Sequence, residues 1–159
     1  MYNALYQKNV DLIEVLEENN KAIYLGNWKV ARNVEYLRTH NIKFVLSAIP
    51  EYIAILNEYK KEKIVQKVIN SNDSASFDIY SRLHEAADFI YESLKKGNLL
   101  IHCSAGISRS TTCLIAYYIK YRNMSFDDAL ALIKRNRPIV RPNFGFQKQL
   151  KKFEQELID

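Results

Sequence analysis

The chain has 159 residues, of which 48% are hydrophobic and 26% are charged, so we expect one globular domain that buries a core of its own. The formal net charge of +5 favours anionic partners, but acidic residues interrupt the basic ones, and a nucleic-acid-binding function is not expected. Two cysteines are too few for a disulfide framework. No signal-peptide pattern and no membrane-length apolar run is visible, so a cytoplasmic or nuclear location is expected.

The first elements of the chain are expected to lie outside the main domain. Leu5, Leu12, Ile13 and Leu16 have roughly helical spacing, which predicts a short helix over residues 5–18. We expect a helical extension over residues 1–20, followed by the main domain over residues 21–159.

Beyond residue 20, strand patterns alternate with helix patterns. The expected strands are residues 22–26, 42–48, 63–69 and 98–103, and the polar segment 70–76 is expected to be a loop. The expected helices are residues 30–40, 79–94, 109–122 and 126–137, and a last helix that Asn143 caps. This alternation predicts an α/β fold: a single domain with a central, twisted, mostly parallel sheet of about four to five strands flanked by helices.

The junction after the strand at 98–103 carries the residues that suggest chemistry. Cys103 stands at the carboxyl end of that strand, which is where ligands bind in open α/β sheets. A short loop follows before the helix that Arg109 opens, and its residues are Ser104, Ala105, Gly106, Ile107 and Ser108. The backbone N–H groups of such a loop, together with the amino end of the helix, form a site for an anion such as phosphate.

The side chains around this loop predict a phosphoryl-transfer reaction. Arg109 can hold two oxygen atoms with its planar guanidinium. The positive surroundings favour the thiolate of Cys103 over the thiol, and the thiolate is the nucleophile. We therefore predict attack on phosphorus to give a cysteinyl-phosphate, with Ser110 assisting the sulfur in the second step. Nothing in the sequence calls for a metal or another cofactor.

The reaction also requires a general acid, which protonates the leaving oxygen. Asp73 in the 70–76 loop is the first candidate, and Asp78 is the second, although its position is typical of a helix cap. His102 is expected to support the loop by hydrogen bonding, because side chains alternate along a strand. Cys113 is expected in the core, and the alternative is a redox partnership with Cys103.

The residues around the loop resemble a known family. The segment IHCSAGISRS resembles the His-Cys-x5-Arg-Ser/Thr signature of the protein tyrosine phosphatases, in the form typical of dual-specificity phosphatases. Similar segments run from AIYLGNWKVARN to PNFGFQKQL, so the resemblance covers residues 20–155. It implies a small atypical member that hydrolyses phosphotyrosine and phosphoserine/threonine. It also implies Asp73 as general acid and a supporting role for Asn143, at a position that hydrogen-bonds toward the active-site loop.

Two alternative functions remain beside this hypothesis. One is a phosphatase for non-protein esters such as phosphoinositides or RNA 5′-phosphates, although the loop has none of the lysines that lipid phosphatases of this superfamily tend to carry. The other is a phosphate-binding pseudophosphatase, which the presence of Cys103, Arg109 and Asp73 disfavours. The expected partners are phosphorylated proteins, with phosphate-like or sulfate-like anions bound in the loop.

Overall fold

A five-stranded sheet forms the centre of the fold. The computed structural model of the chain describes residues 8–54 and 56–159. The strands are β1 (Val10–Val15), β2 (Ala22–Gly26), β3 (Ile42–Ser47), β4 (Val65–Val68) and β5 (Asn98–His102). Their order in the sheet is β1-β2-β5-β3-β4, with β1 antiparallel to β2 and every other pair parallel. The prediction of a mostly parallel sheet within an α/β domain is confirmed.

Helices cover both faces of the sheet. They are α1 (Trp28–Ala31), α2 (Val34–Thr39), α3 (Glu51–Ala54), α4 (Asn57–Lys61), α5 (Leu83–Leu94), α6 (Arg109–Arg122), α7 (Phe126–Asn136) and α8 (Phe144–Ile158), with a 3₁₀ turn at Tyr80–Arg82. The single helix predicted over residues 30–40 is two helices, because the Asn33 side chain accepts the N–H of Tyr36 and starts a second one. Within the described ranges, no helix has the length and apolar character needed to cross a membrane.

The helix predicted over residues 5–18 is wrong for the part that the structure describes. Val10–Val15 is strand β1, and its burial alternates, since Ile13 is buried while Leu12 is 46% exposed. The spacing of the apolar residues fits a helix, but pairing with β2 places this segment at the edge of the sheet. Leu5 lies outside the described residues, and the boundary at residue 20 stays a prediction.

Strand β5 places the candidate site at the middle of the sheet. It lies between β2 and β3, and its residues 99–102 are buried. Helix α6 starts seven residues after β5 ends, and its residues 109–119 are buried as well. The larger apolar core lies between the sheet and helices α5 to α8, and a smaller core lies under α1, α2 and α4. The loop between β5 and α6 is therefore anchored at both ends in the core.

Candidate active site

Four carbonyl groups of residues 103–108, called the 103–108 loop below, accept hydrogen bonds from other parts of the protein. Each of four consecutive carbonyl oxygens accepts a hydrogen bond: Ser104 O from Trp28 N (3.2 Å), Ala105 O from Arg137 Nη2 (3.3 Å), Gly106 O from Arg137 Nε (2.9 Å) and Ile107 O from Arg141 N (2.8 Å). The structure has no cis peptide bond among the described residues, and in a trans peptide the N–H points away from the C=O. The N–H groups of residues 105–108 are therefore turned away from these donors.

These four N–H groups belong to the loop in which the sequence predicts an anion site, and that site stays a prediction. Within residues 8–54 and 56–159, none of them donates a hydrogen bond to a protein atom. Successive N–H groups that converge in a turn bind anions, because each carries a partial positive charge and needs an acceptor. The loop therefore presents four consecutive backbone donors that have no acceptor among the described residues.

Gly106 allows the loop to take this shape. Its φ of +69° lies in the left-handed region that residues with a Cβ rarely adopt. A Cβ atom there would also lie 2.6 Å from the backbone of Gly26 and 2.7 Å from Arg137 Nη2. Only glycine satisfies both conditions at this position.

Arg109 contributes a further donor beside the loop. It is buried at the start of α6, where Nη1 donates to Ser71 O (3.0 Å) and Nη2 donates to Ser104 Oγ (3.0 Å). Its Nε is also buried and has no partner among the described residues. A buried N–H without an acceptor is costly, so this atom is available to an anionic oxygen bound by the loop.

Cys103 lies at the base of the site. The residue is 2% exposed, and its Sγ lies 3.1 Å from Ser110 Oγ in the first turn of α6. The hydroxyl of Ser110 can donate to a thiolate at this distance, and the amino end of α6 adds its positive dipole. The sulfur of Cys103 thus lies between the loop and the first turn of α6.

His102 connects the loop to the neighbouring strand. Its Nε2 lies 2.6 Å from Ser47 Oγ, which also accepts from Gln66 Nε2 (2.8 Å), and its Nδ1 lies 3.3 Å from Cys103 O. This arrangement fits a neutral ring that accepts at Nε2 and donates from Nδ1. Burial, with a smaller effect from the charge of Arg109, lowers the pKa of His102 to about 4. The ring is therefore uncharged at neutral pH.

Asn143 brings Asp73 to the loop. The Asn143 side chain donates from Nδ2 to Asp73 Oδ1 (2.9 Å), and its backbone N donates to Ser108 Oγ (2.9 Å). Its Oδ1 accepts the N–H of Phe146 and caps α8. Asp78 instead accepts the N–H of Ser81 at the start of the 3₁₀ turn. Of the two candidate acids, Asp73 is thus the one that is joined to the 103–108 loop by hydrogen bonds.

The second cysteine lies in the core. Cys113 is fully buried in α6, and burial raises the pKa of its thiol. In this environment a cysteine behaves as a small apolar residue. No group of three or more His, Cys, Asp or Glu side chains is placed to hold a metal ion within residues 8–54 and 56–159.

Sequence reasoning missed Arg137 and its partner Asp11. A basic residue at the end of a helix, here directly before Pro138, is normally solvated, whereas Arg137 is 1% exposed. It holds two loop carbonyls, and its Nη1 donates to Asp11 Oδ2 (2.9 Å) on β1. The available signal was the position of Asp11 two residues before Ile13, on the face of β1 that the strand buries.

The comparisons with known proteins show the family to which this chain belongs. A family model described as "Dual specificity phosphatase, catalytic domain" matches residues 23–156. The putative tyrosine phosphatase 123R of Invertebrate iridescent virus 6 is 47% identical over 56% of this chain and 63% of its own length. Dual specificity protein phosphatase 22-B of Danio rerio is 37% identical over 83% of this chain and 70% of its own length. This chain belongs to the family of dual-specificity phosphatase catalytic domains.

A solved structure shows the same fold. The crystal structure of DUSP15 superposes with a TM-score of 0.75 at 31% identity, and the match covers 92% of this chain and 94% of that one. The curated relatives vary widely in length. This chain spans 16% of the length of a MAP kinase phosphatase with leucine-rich repeats from Dictyostelium discoideum, but 70% of the length of the Danio rerio phosphatase. The similarity therefore concerns the catalytic domain that these proteins share.

Proposed function

We propose that this protein is a cysteine-dependent phosphatase that removes phosphoryl groups from phosphotyrosine and phosphoserine/threonine in proteins. The observation that carries the proposal is the set of four loop N–H groups between Cys103 and Arg109 that donate to no described protein atom, together with the buried Nε of Arg109, which has no partner among the described residues either. These groups suit a tetrahedral dianion that is attacked by sulfur. Preorganised donors of this kind stabilise charge that develops in a transition state.

In the first step of the proposed reaction, the Cys103 thiolate attacks phosphorus. A sulfur–phosphorus bond forms while the phosphorus–oxygen bond of the ester breaks, and Asp73 gives its proton to the leaving oxygen. Arg109 and the loop N–H groups hold the non-bridging oxygens throughout, because their positions are fixed before substrate binds.

In the second step, water attacks the cysteinyl-phosphate. The Asp73 carboxylate, now without its proton, accepts a proton from the water. The sulfur–phosphorus bond breaks, and the departing thiolate receives a hydrogen bond from Ser110, whose Oγ lies 3.1 Å from Sγ. Inorganic phosphate then leaves, and the enzyme returns to its starting state.

A hollow beside the loop favours peptides over inositol phosphates as substrates. It has a volume of about 360 Å³ and adjoins the loop at His102 and Ser104. Its walls are mostly apolar side chains, among them Trp28, Ile49 and Ile53. An apolar side chain next to a phosphorylated residue gains by burial there, whereas an inositol ring is polar on all sides.

A substrate panel tests this function. Purified protein is assayed for phosphate release from phosphotyrosine and phosphothreonine peptides, each with leucine or with serine flanking the phosphorylated residue, and from a short-chain phosphoinositide and an RNA 5′-phosphate. We expect the highest kcat/KM on the leucine-flanked phosphopeptides. Higher kcat/KM on the lipid or the RNA would assign the alternative class, and no turnover of any substrate would indicate a pseudophosphatase.

Gly145 provides a prediction about how the proposed acid is positioned. A Cβ atom at Gly145 would lie 1.8 Å from Ala75 O and 2.6 Å from Ala75 C, and backbone atoms cannot yield as a side chain does. Because Ala75 lies two residues after Asp73, Gly145→Ala should move the proposed acid. We expect kcat to fall about tenfold or more while inorganic phosphate binds as before.

Gly97→Ala is the control for this substitution. The nearest atoms to its Cβ would be in the side chains of Lys43 and Phe44, at 3.1 Å, near the amino end of β5 and away from the 103–108 loop. The measurement is kcat on an aryl phosphate together with inhibition by inorganic phosphate. A Gly145→Ala enzyme with the kcat of the Gly97→Ala enzyme would show that contact with Ala75 does not position the acid.

A further inference from the structure

A buried ion pair joins the edge strand β1 to the 103–108 loop. Arg137 Nη1 donates to Asp11 Oδ2 (2.9 Å), and the side chains of Arg137 and Asp11 are 1% and 7% exposed. The same Nη1 donates to Lys8 O (3.2 Å), so the guanidinium is also held by the backbone that precedes β1. The two other guanidinium nitrogens donate to the loop, Nε to Gly106 O and Nη2 to Ala105 O. One side chain thus joins two segments that lie far apart in the sequence.

The hydrogen bonds from Arg137 to the carbonyls of Ala105 and Gly106 determine the direction in which two loop N–H groups point. The carbonyl of Ala105 shares a peptide with the N–H of Gly106, and the carbonyl of Gly106 shares one with the N–H of Ile107. In a trans peptide the two groups point in opposite directions. Arg137 therefore keeps two of the four anion-binding N–H groups turned to the binding side.

Asp11 determines where Arg137 lies. Burying a guanidinium without a counter-charge is costly, and removing one partner of a buried pair leaves the other uncompensated. Asp11 balances the charge of Arg137 on β1 through Oδ2, while its Oδ1 pairs with Lys8 Nζ (2.7 Å), whose side chain is 60% exposed and stays hydrated without this partner. The Nε and Nη2 of Arg137 then remain directed at the loop. Without the carboxylate, solvation would draw the guanidinium away from the buried position.

We propose that Arg137 and Asp11 are positioning residues, through which strand β1 sets the anion-binding geometry of the 103–108 loop. This inference rests on the proposed function of that loop. It assigns to β1 a role in phosphate affinity in addition to its place in the sheet.

The test compares two carboxylates of the same strand. Asp11→Asn removes the charge that faces Arg137 and keeps the shape of the side chain. Glu14→Gln is the matched control, because Glu14 pairs with Arg122 Nη2 (3.1 Å) and accepts from Tyr118 Oη (2.8 Å) at α6, away from the loop. Binding of inorganic phosphate is measured by calorimetry, KM and kcat are measured on an aryl phosphate, and Tm is measured for each variant.

We expect Asp11→Asn to weaken phosphate binding and to raise KM by about tenfold, whereas Glu14→Gln should leave both at the wild-type value. Loss of an ion pair can lower Tm in both variants, so only the phosphate readouts separate a positioning role from a structural one. Arg137→Lys is the second variant, since one ammonium cannot hold two carbonyls and a carboxylate together. Arg137→Lys should also weaken phosphate binding. If Asp11→Asn does not fold, the phosphate affinity of Arg137→Lys decides whether Arg137 positions the loop.

Two different failures can be told apart. Equal phosphate affinity and KM in Asp11→Asn, Glu14→Gln and the wild type would overturn the positioning role while leaving the proposed function intact. A wild-type protein that neither binds inorganic phosphate nor hydrolyses an aryl phosphate would overturn the proposed function itself.

Discussion

Cys103→Ser should reduce hydrolysis of an aryl phosphate by at least about 10³-fold and leave binding of inorganic phosphate close to the wild-type value. The hydroxyl of serine is a far weaker nucleophile than a thiolate, but it occupies nearly the same space. The loop N–H groups and Arg109 are untouched, so the anion site remains. The measurements are phosphate release over time and calorimetric titration with inorganic phosphate.

Cys113→Ser is the matched control for this prediction. Both substitutions replace sulfur by oxygen at a buried cysteine, but Cys113 lies in the core of α6. We expect it to lower Tm, because a hydroxyl is less favourable than a thiol in an apolar core, and to retain kcat in the folded protein. Near-wild-type turnover by Cys103→Ser would refute the proposed mechanism.

Asp73→Asn should lower kcat by about 10²-fold or more on substrates with poor leaving groups, which is the size of effect usual for general-acid catalysis. Substrates whose leaving oxygen is weakly basic need the proton less, so the loss of kcat should be smaller with these substrates. The measurement is kcat of the wild type and the variant on two aryl phosphates of different leaving-group basicity.

Asp78→Asn distinguishes the two candidate acids. An asparagine at this position can still accept the N–H of Ser81, so the 3₁₀ turn should persist. We expect the wild-type kcat on both aryl phosphates, because Asp73 rather than Asp78 is bonded to Asn143. A loss of kcat in Asp78→Asn that is larger for the poorer leaving group, with no such loss in Asp73→Asn, would reverse the assignment.

The part of the site that could be predicted is the part that is continuous in sequence. The strand, the loop and the helix that contain Cys103 and Arg109 occupy neighbouring positions, and the shape of an anion-binding loop depends mainly on the local backbone. The strands predicted at 22–26 and 98–103 and the helix predicted at 109–122 could be recognised because each is a largely apolar run close to a glycine. Asp73 lies outside this continuous stretch. It could be proposed as a candidate because a polar loop between two regular elements is evident in the sequence.

The remainder depends on contacts between distant segments. Asp11 and Arg137 are 126 positions apart, and each taken alone has the sequence context of a solvated surface residue. Their pairing follows from where β1 and the end of α7 meet the loop; the alternation along β1 marks the buried face on which Asp11 lies but not its partner. A helix was predicted in place of strand β1 for a similar reason. An edge strand owes its conformation to its neighbour, and the apolar residues of β1 also fit helical spacing.

The most direct test of the central claim is detection of the phosphorylated cysteine. The enzyme is mixed with an aryl phosphate, quenched in acid within milliseconds to seconds, digested, and analysed by mass spectrometry. We expect the mass of one phosphoryl group on the peptide that contains Cys103, in an amount that rises and then declines as substrate is exhausted. A phosphoryl group on another residue, or its absence at every time point while phosphate is released at the full rate, would contradict a cysteinyl-phosphate at Cys103.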